Sequence, residues 1–276
     1  MSIPVPSYQS LGATAYWTAA ARAAESQRED HLFNDPWAAA LAGQEGADWL
    51  GQRQGNVSPM VIRTHYFDSC LLRATRETGL RQVVILAAGL DTRAFRLAWP
   101  EGVKVFEIDQ PDVLAYKESV LQSAGAQPAC QRFTIGADLT ALWQADLIRS
   151  GFNPDLPAAW LLEGFLFYLP CESIHRILDE VSALAASGSW IGFDIVNSPT
   201  LTSPITKAWI DMQAKAGAPW LGWLDDPEAF MAERGWQVTL TQPGQPDAHF
   251  ERWTLPVIPV KMPNMPHNWY VTAIKM

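Results

Sequence analysis

The sequence predicts an α/β fold, in which a mostly parallel sheet lies between helices, a helical segment precedes it and a reversed last strand completes it. Three observations carry this reading. The 276-residue chain opens on helix-forming segments and reaches its first strand-like run only at "QVVILAAG". From there to Val196, short apolar runs alternate with helix-like segments, the rhythm of βαβ units. The last strand candidates then follow one another without helices between them, as an antiparallel addition to a parallel sheet would.

Taken in order, "AYWTAAARAAESQRED" is rich in Ala, Arg and Glu, all good helix formers. "NDPWAAALAG" offers Asn34 or Asp35 as a cap, Pro36 for the first turn and Gly43 as a stop. "SPMVIRTHYFDSCLLRATRETG" repeats that pattern from Ser58 to Gly79. The run "QVVILAAG" is continuous and apolar, as expected of a strand buried on both faces. "VKVFEID", "QRFTIGAD", "AAWLLEG" and "SWIGFDIV" follow as strands. "DTRAFRLAW", "DVLAYKESVLQSAG", "LTALWQADLIRSG" and "CESIHRILDEVSALAASG" lie between them as helices. The Trp-rich stretch after Val196 interrupts the rhythm. The helix "PEAFMAERGW", the strand "QVTLTQ" and two late strand candidates, "FERWTLPVI" and "WYVTAIKM", end the sequence. The expected organisation is a helical cap over 1–80, a core over 81–196, a lid insertion over 197–225 and a completion of the sheet over 226–276.

Composition narrows the functions. A net charge of −9 without any run of Lys or Arg disfavours nucleic acid as a partner. No apolar run is long enough to span a bilayer, and "MSIPVPSYQSLG" lacks the basic stretch and apolar core of a secretory signal. The three cysteines are scattered, so a reducing, cytoplasmic setting is expected. The five His residues are dispersed, and the single pair in "ESIH" reads as a solvated helix face rather than a metal site. GxSxG, P-loop and HExxH motifs are absent.

The candidate site residues fall at strand ends, where open α/β sheets place ligands. Gly89 follows the first strand and allows a tight turn or a close ligand approach. A pyrophosphate cradle would need more glycines than this one. Asp109 ends the second strand about 20 residues later, the offset of a ribose-binding carboxylate. Glu107 shares its strand parity. Asp138 ends the third strand and could either face an adenine or cap the following helix. Glu163 ends the fourth strand within an apolar run, where an unpaired charge would be costly. Asp91 reads as a cap for the helix opening at Thr92, and Arg93 as the partner of a carboxylate behind the ligand-contacting residues or at the domain seam.

The stretches "VVILAAGLDTRAFRL", "FEIDQPDVLAYK", "GADLT" and "AWLLEGFLFYLP" resemble the leucine carboxyl methyltransferase-like family of S-adenosylmethionine (SAM)-dependent O-methyltransferases. "RAAESQREDHLFNDPWAAALAG" and "RTHYFD" are similar to that family's helical lead-in. The resemblance runs from about Ala19 to Val196, and "PVIPVKMPNMPHNWYVTAIK" looks like the branch of bacterial polyketide carboxyl methyltransferases of the tetracenomycin type. It implies a class I methyltransferase fold: a Rossmann-like, mostly parallel seven-stranded sheet with a reversed last strand, under a helical lid. It further implies that Arg63 holds the SAM carboxylate, that Gly89 lies under the methionine part and that Asp109 takes the ribose hydroxyls. Asp138 and Leu139 would meet the adenine, Glu163 the SAM amine, and Tyr168 the methyl-transfer site. Arg22 would reach the same pocket from the lead-in helix.

The expected reaction is in-line attack of an acceptor oxygen on the SAM methyl. A carboxylate acceptor is already ionised at neutral pH and needs no base, whereas a phenol would want one. No His lies in the four core stretches from "VVILAAGLDTRAFRL" to "AWLLEGFLFYLP", which together with the family favours a carboxylate acceptor, and the branch resemblance implies a small hydrophobic natural-product acid of polyketide type. Trp209, Trp220 and Trp223 fit either an aromatic acceptor pocket or core packing. A peptide or protein C-terminal carboxylate, a phenol, or a SAM-binding regulator without catalysis are the alternatives. Nothing in the sequence fixes the oligomeric state.

Overall fold

The computed structural model describes residues 9–52, 57–260 and 262–276. Three helices come first: α1 (Gln9–Ser26), α2 (Ala38–Gln52) and α3 (Ser58–Arg76). Gly43 does not stop α2 but kinks it, with φ of 56°, a value that costs glycine little. Asp35 accepts a hydrogen bond from the Trp37 N–H at 3.2 Å. Its main engagement lies elsewhere, with the Arg22 guanidinium at 2.8 Å and the Thr92 hydroxyl at 2.5 Å.

The sheet contains β1 (Gln82–Leu86), β2 (Lys104–Asp109), β3 (Gln131–Gly136), β4 (Ala158–Leu162), β5 (Trp190–Val196), β6 (Trp236–Thr241) and β7 (Asn268–Lys275). Their order is β3-β2-β1-β4-β5-β7-β6. The first five strands are parallel, and β7 runs antiparallel between β5 and β6. Every residue of β1, β4 and β5 is buried, which is why each reads as a mainly apolar run, broken in β5 by Asp194. Between them lie α4 (Arg93–Arg96), α5 (Pro111–Ser123), α6 (Gln144–Arg149) and α7 (Cys171–Leu184). Trp143, Trp160, Phe106 and Phe193 fill the core on one side of the sheet, with Phe152 edge-on to Trp160 at 5.2 Å.

After β5 come α8 (Ser198–Thr202), α9 (Lys207–Lys215) and α10 (Pro227–Ala232). The stretch between α9 and α10 folds back on the turn after β4: the Leu221 N–H donates to the Phe167 carbonyl at 2.7 Å. Trp220 packs on Phe167, ring centroids 4.3 Å apart, while Trp209 is partly exposed and Trp223 is packed against the core.

One expected strand is absent. "FERWTLPVI" forms turns and irregular structure. Phe250 and Glu251 take left-handed φ of 48° and 54°, which ends any extended run. Pro256 lacks a backbone donor, and the position beside β5 is filled by β7. Among the described residues, no helix is long and apolar enough to cross a membrane.

Candidate cofactor and methyl-transfer site

The C-terminal ends of β1, β2 and β4 are in register, with Leu86 opposite Ile108 and Ile85 opposite both Glu107 and Leu161. Side chains just beyond them therefore converge. Here lies a cavity of about 400 Å³, with α1 contributing one wall. Arg22, Arg63, Gly89, Asp109, Leu139, Glu163 and Tyr168 all line it.

Asp109 sits on the floor. One carboxylate oxygen accepts the Gly89 N–H and the other the Gln110 N–H, each at 2.6 Å. An ionised carboxylate has about four acceptor positions, so two remain for a ligand. Burial pushes its pKa above the ordinary aspartate value, against the pull of the two N–H groups. The loop that meets it is strained. Ala87 has φ of 52° and Gly89 of 45°, and the left-handed region is costly for any residue with a Cβ.

Glu163 joins two arginines that are distant in sequence. It accepts from the Arg63 Nε at 3.0 Å and from an Arg93 Nη at 2.6 Å. Arg93 also donates to Asp68 at 2.7 Å and pairs with Asp91, and Asp68 is gripped on its other side by Arg96 at 2.6 Å. Burial raises the Asp91 pKa, but the Arg93 charge outweighs it and holds the carboxyl at about 2. The same carboxylate accepts the Arg93 N–H at 2.6 Å from one residue before the helix's N-cap, Thr92, whose own side chain does not cap it. Arg22 pairs with Asp35 and donates to the Leu90 carbonyl at 2.6 Å, tying α1 to the loop after β1.

Asp138 lies outside this set. It is exposed, and it holds the next turn by accepting from the Thr140 N–H and hydroxyl, each at 2.7 Å. Its neighbours Ala137 and Leu139 face the cavity instead. Asp138 does not cap α6 either, since that helix begins six residues later, at Gln144. Tyr168 is half-buried in a short 3₁₀ turn (Leu166–Tyr168). Burial pushes its hydroxyl pKa up, with Arg63 pulling the other way, so it stays protonated at neutral pH.

Three participants are not among the residues that the sequence singles out. Asp194, fully buried in β5, binds Arg63 at 2.9 Å and accepts the Gly164 N–H at 2.6 Å. The signal that could have found it, a lone carboxylate within the apolar run "WIGFDIV", is the one that marks Glu163. Tyr16 and Tyr116 meet edge-on at 5.3 Å on the cavity wall, joining α1 to α5.

Gly164 offers a sharp test of this packing. Its φ is 65°, and an added Cβ would stand 2.7 Å from an Arg63 Nη. Gly164→Ala is expected to cost about 1–2 kcal/mol from the backbone alone and to displace the Arg63 fork. Thermal unfolding and SAM titration of the variant read both effects, and an unchanged protein would contradict the geometry.

A sheet of this order with its seventh strand reversed, and a cavity at the strand ends with Asp109 on its floor, have the build of the SAM-dependent methyltransferases, the class to which the family and the relatives assign the chain. The model of the leucine carboxyl methyltransferase family matches residues 15–182, and the chain belongs to that family. A Mycobacterium avium relative, whose inferred activity is SAM-dependent methyl transfer, is 40% identical over 254 residues, covering 84% of this chain and 83% of that protein. A similarly named Saccharopolyspora erythraea protein is 40% identical over 261 residues, covering 88% of each. In fold, the chain is similar to a DUF574 family protein from Streptomyces avermitilis (TM-score 0.61, 16% identity, 94% of this chain and 97% of that one). It is also similar to magnesium protoporphyrin IX methyltransferase from Synechocystis, solved with bound S-adenosylhomocysteine (TM-score 0.50, 13% identity, 78% and 85%).

Proposed function

We propose that this SAM-dependent methyltransferase esterifies a carboxylate of a small hydrophobic acid, of the polyketide type. The observation that carries the reading is the lack of a usable base where the acceptor would approach. No histidine is among the described residues lining the cavity. Glu163 and Asp91 are committed to arginines, Asp109 to two backbone N–H groups, and Tyr168 is held protonated. Glu45 and Asp112 line the part of the wall formed by α2 and α5, alongside Tyr16 and Tyr116. An acceptor that arrives already ionised suits such a site.

The residues present suit SAM. The cofactor carries a ribose, an adenine and a zwitterionic tail but no phosphate. Asp109 would accept the ribose hydroxyls, Leu139 would pack on the adenine and Arg63 would take the carboxylate of the tail. Glu163, with Gly89 below, would lie beside the ammonium group. The sulfonium supplies an electrophilic methyl; the protein provides alignment and the exclusion of water, which in favourable cases is worth roughly 7–11 kcal/mol. Phe165 and Tyr168 form an aromatic wall, backed by Phe167 and Trp220, that fits an apolar acceptor.

Product analysis tests this. Hydrophobic acids, phenols and peptides are offered with SAM, and the products are identified by mass spectrometry and treated with mild base. A base-labile methyl ester of a small acid is expected, with a rate that is flat above about pH 6 because carboxylates titrate near 4. A base-stable ether, with a rate still rising toward pH 10, would identify a phenol acceptor. Methylation confined to peptides would move the acceptor to a peptide's terminal carboxylate, and SAM binding without transfer to any class would indicate a regulator.

A further inference from the structure

Asp194 does not line the cavity, yet its carboxylate joins two elements that do. One oxygen accepts from Arg63 Nη1 at 2.9 Å. The other accepts the Gly164 N–H at 2.6 Å. The Asp194 side chain is fully buried, so both bonds are shielded from water on its side and reach partners on the cavity wall. Arg63 is held at a second point by Glu163 at 3.0 Å. The guanidinium thus lies flat against Gly164, where an added Cβ would come within 2.7–3.2 Å of three of its atoms.

We infer that Asp194 is a positioning residue for the amino-acid end of SAM, because it locks the Arg63 fork to the Gly164 turn. The inference rests on the reading that Arg63 meets the SAM carboxylate. With Nε and one Nη1 N–H engaged, the second Nη and the remaining Nη1 N–H are left to meet a ligand carboxylate, and their direction is set by the two carboxylates behind them. A guanidinium fork is useful only when so oriented.

An asparagine cannot replace this aspartate. Both oxygens accept, whereas an amide offers one acceptor and one donor group. In either orientation of the amide, its NH₂ faces another N–H: Arg63 in one case, Gly164 in the other. One of the two bonds is lost, and the fork or the turn moves.

The test is calorimetric, on the full-length protein, with two probes. SAM carries the amino-acid end; 5′-methylthioadenosine keeps the adenine, ribose and sulfur but lacks it. D194N is expected to weaken SAM by about tenfold or more, equivalent to about 1.4 kcal/mol, and to leave 5′-methylthioadenosine essentially unchanged. Equal weakening of both probes would reduce Asp194 to a general structural role and overturn the inference. R63M separates this inference from the reading beneath it. If R63M weakens SAM selectively and D194N does not, Asp194 fails and the Arg63 placement stands. If R63M also leaves SAM unchanged, that placement fails and the inference with it. Should D194N not fold, D194E probes the same lock, since it keeps both acceptors but displaces them by one methylene from Arg63 and the Gly164 N–H. Selective loss of SAM is expected again, and unchanged SAM affinity overturns the inference.

Discussion

Replacing Arg93 with methionine is expected to destabilise the fold by about 3–5 kcal/mol, the cost of removing one partner from a buried ion pair. Arg93 is 3% exposed and reaches three carboxylates, on α3, on the loop after β1 and at the end of β4. Asp68 would keep Arg96, through bonds of 2.6 and 2.8 Å. Glu163 would keep Arg63 but lose the partner of its second oxygen. Asp91 would lose the guanidinium that neutralises it, leaving an unpaired carboxylate at the cavity edge, 11% exposed, whose pKa now sits at about 2. The sign follows from that depression. Asp91 stabilises the native state above the ordinary aspartate pKa near 3.9, and this contribution is lost as pH falls toward 2. In R93M it is lost at neutral pH as well. Urea unfolding measures the difference directly. A change below about 1 kcal/mol, the level of a surface ion pair, would refute the placement of Arg93 at the centre of the cluster.

Arg93 also shows where reading the sequence succeeds and where it stops. The sequence predicts that Arg93 pairs with a carboxylate and that Asp91 caps the helix after it. It does not predict Glu163 as a partner, because the two are 70 residues apart and meet only when β4 lies beside β1. Gly89, Asp109 and Glu163 are legible for a simpler reason: each lies at the end of a buried apolar run, and such runs end at the ligand-binding edge of the sheet. Asp194 carries the same mark but sits within β5 rather than after it, so only its contact with Arg63, 131 residues away, gives it meaning. "FERWTLPVI" misleads in the opposite direction. Its composition suits a strand, but two consecutive left-handed residues are a backbone property that composition does not encode. Asp138 stands between these cases. It does lie at a strand end, but its carboxylate is used by the next turn rather than by the cavity.

Asp109→Ala is expected to weaken SAM by at least about 100-fold, because two hydrogen bonds to a charged acceptor, each worth about 1.5–3 kcal/mol, would be lost from the proposed ribose site. The loop would suffer too, since Asp109 holds the Gly89 N–H at 2.6 Å and thereby the turn in which Ala87 is strained. Asp109→Asn distinguishes the two roles. It retains one acceptor and the volume of the side chain, but sets an NH₂ against either the Gly89 or the Gln110 N–H. Its affinity for SAM should fall between those of the alanine variant and the native protein. The pH dependence gives an independent check. Burial raises the Asp109 pKa, so the acceptor is lost, and SAM affinity with it, as pH falls through that raised value rather than through the lower value of a free aspartate. The linkage to folding has the opposite sign: a carboxyl with a raised pKa favours the native state below its unfolded pKa, and that advantage disappears as pH rises through the folded one. Acid loss of SAM binding through Asp109 should therefore precede unfolding. Calorimetric titration across pH 4–7, with thermal unfolding recorded alongside, would show this order. If affinity and fold were lost together, or if D109A bound SAM as the native protein does, Asp109 would have to be removed from the ribose site.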